Sequence, residues 1–323
     1  MRKWVSGFVA VIVLLVGTLL ETPGLTAQVR GTSGATFTLA VLRRDGIVIP
    51  IASYSPGRWT NRWPTPGHRP DIPISLVSSP KGWWAGNRPI SEWTAWPMRG
   101  QSRAVHVKNA VNITVECQPH VGLQTDYLSA EPDEPPRMQP YPKDGLASSG
   151  DLLVEPVALL DAKLPPWTSV SAEVQAKVTA AEPGLLKEAN LQTLLSEKDR
   201  NNAPFSLEVA FGSPGLQPGS SILYFEGVKR YQRQFSLPSG LMTYVVGFVR
   251  VKENAPPNIQ IVATLSDSRR EGLLYSLVLG SFRLDGRLYW VVQRSAWGYE
   301  RFDILELRDS GIVTAFKTVG GTC

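Results

Sequence analysis

Runs of apolar residues of two kinds, alternating and continuous, indicate that the chain is built mainly from β-strands. Residues 36–54 read TFTLAVLRRDGIVIPIASY, with β-branched and aliphatic residues on either side of Asp45-Gly46. An Asp-Gly pair supplies the positive φ angles that a two-residue hairpin turn requires. The pattern therefore predicts a β-hairpin near the start of the mature chain.

The C-terminal part, 204–323, continues as short strands separated by Gly, Pro, Asn, Asp and Ser. A hairpin turning at Asp285-Gly286 should place Phe282 opposite Tyr289. Several of these strands are apolar on both faces, so they require a second sheet or a covering helix. We expect a mainly β fold of antiparallel sheets, arranged as a sandwich or an open barrel-like structure.

A helical pattern occurs within 167–203. Ser171 can cap a helix, and Val174 and Val178 lie four residues apart on one helical face. Pro183-Gly184 should end this helix before a second one begins. The stretch predicts a short insert of two amphipathic helices that covers a sheet.

The remaining boundaries follow from composition. Residues 1–27 carry Arg2 and Lys3 ahead of an apolar run and end in small residues, the layout of a secretory signal peptide. The run is shorter than the about 20 residues of a membrane-spanning helix. We expect a secreted or periplasmic protein with no membrane span after cleavage. Residues 28–128 form an N-terminal β and Trp-rich part, and the proline-rich residues 129–166 predict a linker or long loop.

The chain contains two cysteines, Cys117 and Cys323. In an oxidising compartment these thiols can form a disulfide if their geometry allows it. Such a bridge would fasten the last residue of the chain to its N-terminal half. The alternative is a pair of free thiols.

The charge pattern and the histidines exclude several classes of function. The formal net charge is +5, and basic residues are interspersed with acidic ones, whereas nucleic-acid binders concentrate Lys and Arg on one face. We therefore expect no nucleic-acid partner. Cys117 and His120 have a ligand-like spacing, but no further set completes a zinc site, so we expect no metal and no cofactor. The chain lacks the Gly-x-Ser-x-Gly motif of serine hydrolases.

Several short stretches together resemble a set of exported bacterial proteins of uncharacterised function. They are AVLRRDGIVIPIA, the paired Trp83-Trp84, YFEGVKRY, Trp297, ERFDILEL and the terminal Gly-Thr-Cys. The resemblance covers most of the mature chain, and it implies export and the unity of the two halves. It implies no activity and no site.

Six tryptophans concentrate between residues 59 and 96. They are Trp59, Trp63, Trp83, Trp84, Trp93 and Trp96. Adjacent residues in an extended segment point to opposite faces, so Trp83 and Trp84 cannot both pack against one core. Ser91 can cap a single helical turn, in which Trp93 and Trp96 would stand on the same side.

Two interpretations of these tryptophans stay open. The indoles form a platform that stacks on a glycan or another flat ligand, with Arg88 and Glu92 fixing its orientation. Alternatively, the rings bury apolar area in a segment that has little regular structure.

Glu226 is the strongest candidate for acid-base chemistry. It lies on the same strand face as Ile222 and Tyr224, where burial would raise its pKa as a general acid requires. Glycoside hydrolysis needs a second carboxylate, and three acids of one later strand are conceivable partners: Glu300, Asp303 and Glu306. The alternative is a structural ion pair between Glu226 and a neighbouring Lys or Arg, such as Arg283 or Arg301.

We therefore expect an exported, non-catalytic binding or envelope-associated protein that contacts a glycan or another envelope component through its Trp-rich segment. The enzymatic alternative is a secreted glycan hydrolase that uses a carboxylate pair. A third alternative is a subunit of a larger envelope assembly, which should expose a wide apolar patch.

Overall fold

A computed structural model describes residues 36–60, 90–130, 142–155, 157–189, 195–231, 240–266, 275–296, 298–318 and 320–323. All of them belong to one compact unit, Gly31–Cys323. The described residues form eighteen strands and two helices, and the strands make three antiparallel sheets. The fold is mainly β with a short helical insert, as predicted. The signal-peptide prediction falls on residues outside the described ranges.

The first sheet closes into a small barrel. Its strands are β1 (Phe37–Arg43), β2 (Ile47–Ser55), β3 (Arg58–Thr60), β4 (Glu92–Pro97), β5 (Arg103–Val115), β6 (Gln118–Thr125) and β7 (Lys143–Ser148). The strands pair in the order β1, β7, β4, β5, β6, β2, and β1 also pairs with β2. Six strands therefore form a closed ring, and β3 extends it from β2.

One large indole and several small side chains fill the barrel. Trp93 on β4 is 1% exposed. The same apolar cluster contains alanines from four strands of the ring: Ala40, Ala95, Ala110 and Ala147. Small barrels have room inside for side chains only, and large and small residues alternate to fill them. The alanines leave the space that the Trp93 ring occupies.

The other two sheets pack face to face as a sandwich. The outer sheet consists, in spatial order, of β13 (Ala255–Ser266), β12 (Met242–Lys252), β11 (Ser220–Arg230), β10 (Phe205–Pro214) and β9 (Ala158–Leu159). The central sheet consists of β17 (Gly311–Lys317), β16 (Tyr299–Arg308), β15 (Arg287–Ala296), β14 (Tyr275–Leu284) and β8 (Val154–Glu155), with β18 (Gly321–Thr322) paired to β16.

The central sheet lies between two apolar cores. Phe282 and Ile304 belong to the core that it shares with the barrel. Trp290 and Leu305 belong to the core that it shares with the outer sheet. Successive side chains of a strand point to opposite faces, which explains unbroken apolar runs such as 288–292 on β15.

Helix α1 (Ser171–Glu188) covers the far face of the outer sheet, where Val174 and Val178 are fully buried as predicted. Two details of the helix prediction are wrong. The N-cap residue is Val170, not Ser171, and it makes no side-chain cap bond. The helix also continues through Pro183, because Glu182 and Leu186 on either side of it are buried and packing outweighs the lost backbone hydrogen bond.

Buried polar contacts fasten α1 to the sheet. The Glu182 carboxylate lies 2.9 Å from Lys229 Nζ and accepts a hydrogen bond of 2.9 Å from the Tyr231 hydroxyl. A second helix, α2 (Glu197–Asn202), begins with a capping box between Ser196 and Asp199. Among the described residues, no helix has the length and apolar character needed to cross a membrane.

Both predicted hairpins are confirmed. Leu42 pairs with Val48 across the first turn, and Phe282 pairs with Tyr289 across the second. The prediction of a linker or loop over 129–166 is wrong for its middle part, because β7 is buried along its whole length between β1 and β4. Its sequence KDGLAS is too short and too polar for a periodic signal, and the two neighbouring strands make it a strand.

The disulfide between Cys117 and Cys323 is present, with the two Cα atoms 5.1 Å apart. It joins the turn between β5 and β6 of the barrel to the C-terminus. There β18 pairs with the start of β16, so the bridge fastens the barrel to the central sheet.

Candidate functional site

A cleft opens between the outer and central sheets at the edge formed by β13 and β17. Its volume is about 630 Å³, within the range of about 300–1,000 Å³ that small-molecule sites occupy. Strands β12 and β13 form one wall, and β15, β16 and β17 form the other. The cleft lies where the sandwich is open at one edge.

Strand alternation decides which side chains line the cleft. On β12, Tyr244, Val246 and Phe248 point toward it, and on β16, Asp303 and Leu305 do so. The residues between them point into the cores on the other faces of the two sheets.

One end of the cleft carries three cations and one carboxylate. Asp303 is 2% exposed. Its Oδ1 lies 3.1 Å from Arg301 Nε, and its Oδ2 lies 3.6 Å from Arg294 Nε. Lys317, at the end of β17, is exposed and forms no ion pair with any carboxylate in the described part of the chain. This cationic end therefore has an excess of positive charge.

The two arginines are direct cross-strand neighbours. Arg294 on β15 pairs with Arg301 on β16 in the antiparallel register. Like charges directly opposite each other destabilise a sheet. A single carboxylate, Asp303, compensates both guanidinium groups.

Glu226 is buried behind the cationic end. It is 2% exposed, and its Oε1 accepts hydrogen bonds from the Tyr224 hydroxyl and, at 2.8 Å, from the backbone N–H of Ser276. The Tyr244 hydroxyl also donates to it. Burial raises the pKa of Glu226, although these donors act in the opposite direction. Burial likewise raises the pKa of both tyrosines.

Arg294 connects Glu226 to the cleft. Its guanidinium donates a hydrogen bond to Ser276 Oγ, and the backbone N–H of Ser276 donates to Glu226. The same guanidinium faces Asp303. A continuous series of polar contacts therefore runs from the buried Glu226 to the Asp303 carboxylate, which lines the cleft.

The opposite end of the cleft is apolar. Phe248 and Ile312 line it, beside the Gln260 side chain. A second, small cavity of about 20 Å³ adjoins this end and shares Phe248, Gln260 and Ile312 with the cleft. Such a volume is about one water molecule, so the space narrows sharply here.

Hydrogen bonds to the β16–β17 turn close this apolar end. Arg250 on β12 donates to the carbonyl groups of Arg308 and Asp309. Gln260 Nε2 on β13 lies 3.5 Å from the carbonyl oxygen of Ser310. The outer sheet is thus tied to the central sheet at one end of the cleft.

Of the three acids predicted as partners of Glu226, only Asp303 lies on the same side of the central sheet. Glu300 is fully buried on the barrel side, with its Oε1 3.0 Å from Lys143 Nζ. Glu306 also faces that side and lies 2.8 Å from Arg308. Strand alternation along β16 separates the even-numbered acids from Asp303.

The predicted ion pair of Glu226 with Arg283 or Arg301 does not form. Arg283 Nε lies 3.6 Å from Glu155, and Arg301 pairs with Asp303. The partners of the Glu226 carboxylate are two tyrosine hydroxyls, the Ser276 hydroxyl and the Ser276 backbone N–H, all of them neutral.

The helical turn predicted after Ser91 is wrong. Residues of β4 pair with β5 on one side and β7 on the other, and these two hydrogen-bond ladders outweigh a single turn. In a strand, positions three apart lie on opposite faces. Trp93 therefore points into the barrel, and Trp96 packs against the core beneath the central sheet.

Trp59 joins the barrel to the central sheet. Its ring centroid lies 4.9 Å from that of Tyr54 and 6.1 Å from that of Phe282. For the three described tryptophans of the predicted surface, the structure shows packing, and Glu92 is exposed at the start of β4. The other predicted members lie outside the described residues and stay predictions: Trp63, Trp83, Trp84 and Arg88.

The Cys117 sulfur is engaged in the disulfide, so it cannot serve as a metal ligand beside His120. Within the described ranges, no three side chains of His, Cys, Asp or Glu lie close enough together to hold a metal ion.

Sequence reasoning missed Arg294, Tyr244 and Lys317. A usable signal exists for the first, because counting outward from the Asp285-Gly286 turn places Arg294 on the same face as Trp290. No family model matches this chain, and neither a curated protein nor a solved structure does.

Proposed function

We propose that this protein is an exported, non-catalytic binding protein of the cell envelope whose ligand occupies the inter-sheet cleft. The ligand places a negatively charged group against Arg294, Arg301 and Lys317. The observation that carries the proposal is the excess of cations at one end of a cleft of about 630 Å³.

The cross-strand arginines carry more positive charge than Asp303 can balance. Two guanidinium groups in register, with one buried carboxylate between them, leave one positive charge without compensation in a partly desolvated place. Arginine binds carboxylate, phosphate and sulfate through two parallel hydrogen bonds. An anionic ligand group would complete the charge balance that Asp303 begins.

Two observations support export. A disulfide between Cys117 and Cys323 is compatible with a non-cytoplasmic protein, because cytosolic thiols are kept reduced. Residues 1–27 have the layout of a cleaved secretory signal. Contact with a glycan through the Trp-rich segment around Trp83 and Trp84 stays a separate proposal.

The binding proposal is tested by calorimetric titration of the purified protein with inorganic phosphate, sulfate and glucuronate. The double variant Arg301→Gln/Lys317→Gln should weaken binding by about tenfold or more, since it removes two cations from the site. Lys163→Gln removes an exposed lysine that does not line the cleft and should leave binding unchanged. Equal affinities of the wild type and the double variant, or no binding of any anion, would overturn the proposal.

A glycan hydrolase is the second candidate. The raised pKa of Glu226 and its connection to Asp303 through Ser276 and Arg294 favour it. Against it, Glu226 is 2% exposed and its carboxylate already accepts several hydrogen bonds. The variant Glu226→Gln separates the two candidates, because a hydrolase would lose its activity on acidic glycans whereas a binding protein would keep its ligand affinity.

A further inference from the structure

We infer that the ligand of the cleft is an anionic amphiphile, with its charged head at the cationic end and an unbranched apolar chain along the rest of the cleft. The head is a carboxylate, phosphate or sulfate group. This inference rests on the proposed anion-binding function and adds the chemical class and the orientation of the ligand.

The polarity of the cleft changes in the same direction along β12 and β17, one strand from each wall. On β12, Tyr244 lies at the cationic end and Phe248 at the apolar end; on β17, Lys317 and Ile312 mark the same two ends. Four residues of strand at about 3.3 Å each separate the ends by about 13 Å. A ligand that bridges them is elongated and has two unlike ends.

The middle of the cleft is suited to an apolar chain. Val246 and Leu305 line opposite walls, and Val262 at the rim is 71% exposed. A sugar ring placed here would lose water from its hydroxyl groups and gain few hydrogen bonds, which costs free energy. An alkyl chain would instead remove the exposed valine and the two walls from water.

The closed end limits the length of that chain. Phe248, Gln260 and Ile312 separate the cleft from a cavity that holds about 20 Å³. Arg250 ties the β16–β17 turn to the outer sheet directly beyond it. A chain of medium length should fit, and a longer one should gain nothing further.

A chain-length series tests this inference. Acetate, octanoate, dodecanoate and palmitate are titrated by calorimetry below their micelle concentrations. Each methylene up to the closed end should tighten binding about fourfold, and the gain should then stop. Dodecyltrimethylammonium, which has the same chain and a positive head, should bind about tenfold more weakly than dodecanoate.

Two neighbouring variants on β17 locate the site. Thr314→Trp fills the cleft and should abolish dodecanoate binding. Val313→Trp is the matched control, because Val313 points to the other face of the same strand and is exposed, so binding should persist. Equal losses in the two variants would overturn the placement of the ligand.

The outcomes separate this inference from the proposed function. If acetate, phosphate and dodecanoate bind equally well and all depend on Arg301 and Lys317, the amphiphile is wrong and the anion-binding function stands. If glucuronate binds more tightly than dodecanoate, the ligand is an acidic sugar and the amphiphile is again wrong. If no anion binds, both proposals fail.

Discussion

Opposite faces of β16 carry two buried ionic sites that differ in how their charges are balanced. On the barrel face, Glu300 pairs with Lys143 at 3.0 Å, and Gln293 donates to it at 3.1 Å. On the outer-sheet face, Asp303 forms ion pairs with two arginines beside an open cleft. The charges of the enclosed Lys143–Glu300 pair balance each other, so this site does not attract a charged ligand. The excess positive charge around Asp303 borders a cavity, so that site attracts an anion.

Burial of the Lys143–Glu300 pair on the barrel face costs free energy, and only the close contact within the enclosed pair offsets that cost. Burial lowers the pKa of Lys143, while the neighbouring Glu300 acts to raise it. Removing two charges from water costs several kcal/mol per ion unless the partners are close and well oriented. The pair therefore depends on both members and on the segments that seal it.

The largest expected change in the free energy of unfolding comes from removing the disulfide that holds β18 next to Glu300 of the barrel-face pair. Gly321 in β18 pairs with Glu300, and the disulfide holds this end of the chain in place. The double variant Cys117→Ala/Cys323→Ala releases a loop of 206 residues and should lower the free energy of unfolding by up to about 5 kcal/mol. Urea denaturation measures this loss.

The cleft should not respond to the loss of the disulfide. Under conditions where the double variant is folded, its affinity for a cleft ligand should equal that of the wild type. An affinity that falls together with stability would show that the two faces of the central sheet are coupled. The two ionic sites would then not be independent.

A smaller loss should follow from unbalancing the barrel-face pair itself. Glu300→Gln removes the carboxylate that lies 3.0 Å from the buried Lys143 Nζ and should cost about 3 to 5 kcal/mol. The control is the adjacent Arg301→Gln on the cleft face, which leaves Asp303 with Arg294 and should cost about 1 kcal/mol. Chemical denaturation of both variants at pH 7 gives the two values.

The pH dependence of the Glu300→Gln loss adds a second readout. The lowered pKa of Lys143 means that the lysine can discharge in the folded state before it does so in the unfolded chain. The cost of the variant should therefore shrink as the pH rises through that lowered pKa. A cost that is the same at pH 7 and at pH 10 would show that lost packing, not the lost attraction between Lys143 and Glu300, is responsible.

Turn residues and hydrophobic periodicity predicted many of the strands and the first helix, but they did not predict which strands pair with each other. Asp-Gly turns fixed both hairpins, and the spacing of Val174 and Val178 identified the buried face of α1. Closure of the barrel through β7 depends on pairing between strands about 100 residues apart, such as Val41 with Leu146. No local periodicity reports such a pairing.

The same limit applies to the site. Alternation along β16 assigns Glu300 and Asp303 to different faces, but the stacking of the layers decides which face borders a cleft. Glu226 was found because a carboxylate among apolar strand residues is unusual. Arg294 and Lys317 were missed because single cations near strand ends are common on ordinary surfaces.

The smallest effect concerns two carboxyl groups whose pKa values move in opposite directions. Burial raises the pKa of Glu226 above the ordinary 4.5, so its contribution to stability is present at low pH and is lost as the pH rises through the raised value. The Arg308 guanidinium lowers the pKa of Glu306, so its contribution is present above 4.5 and is lost as the pH falls.

Thermal unfolding of Glu226→Gln and Glu306→Gln between pH 4 and pH 8 measures the two contributions. Relative to Glu226→Gln, the wild type should lose stability as the pH rises; relative to Glu306→Gln, it should gain stability. Parallel curves for Glu226→Gln and the wild type would mean that the tyrosine and backbone donors hold this carboxylate charged throughout. In that case the negative charge of Glu226 would offset part of the positive charge of Arg294. An anionic ligand would then gain less electrostatic binding free energy at the cationic end of the cleft.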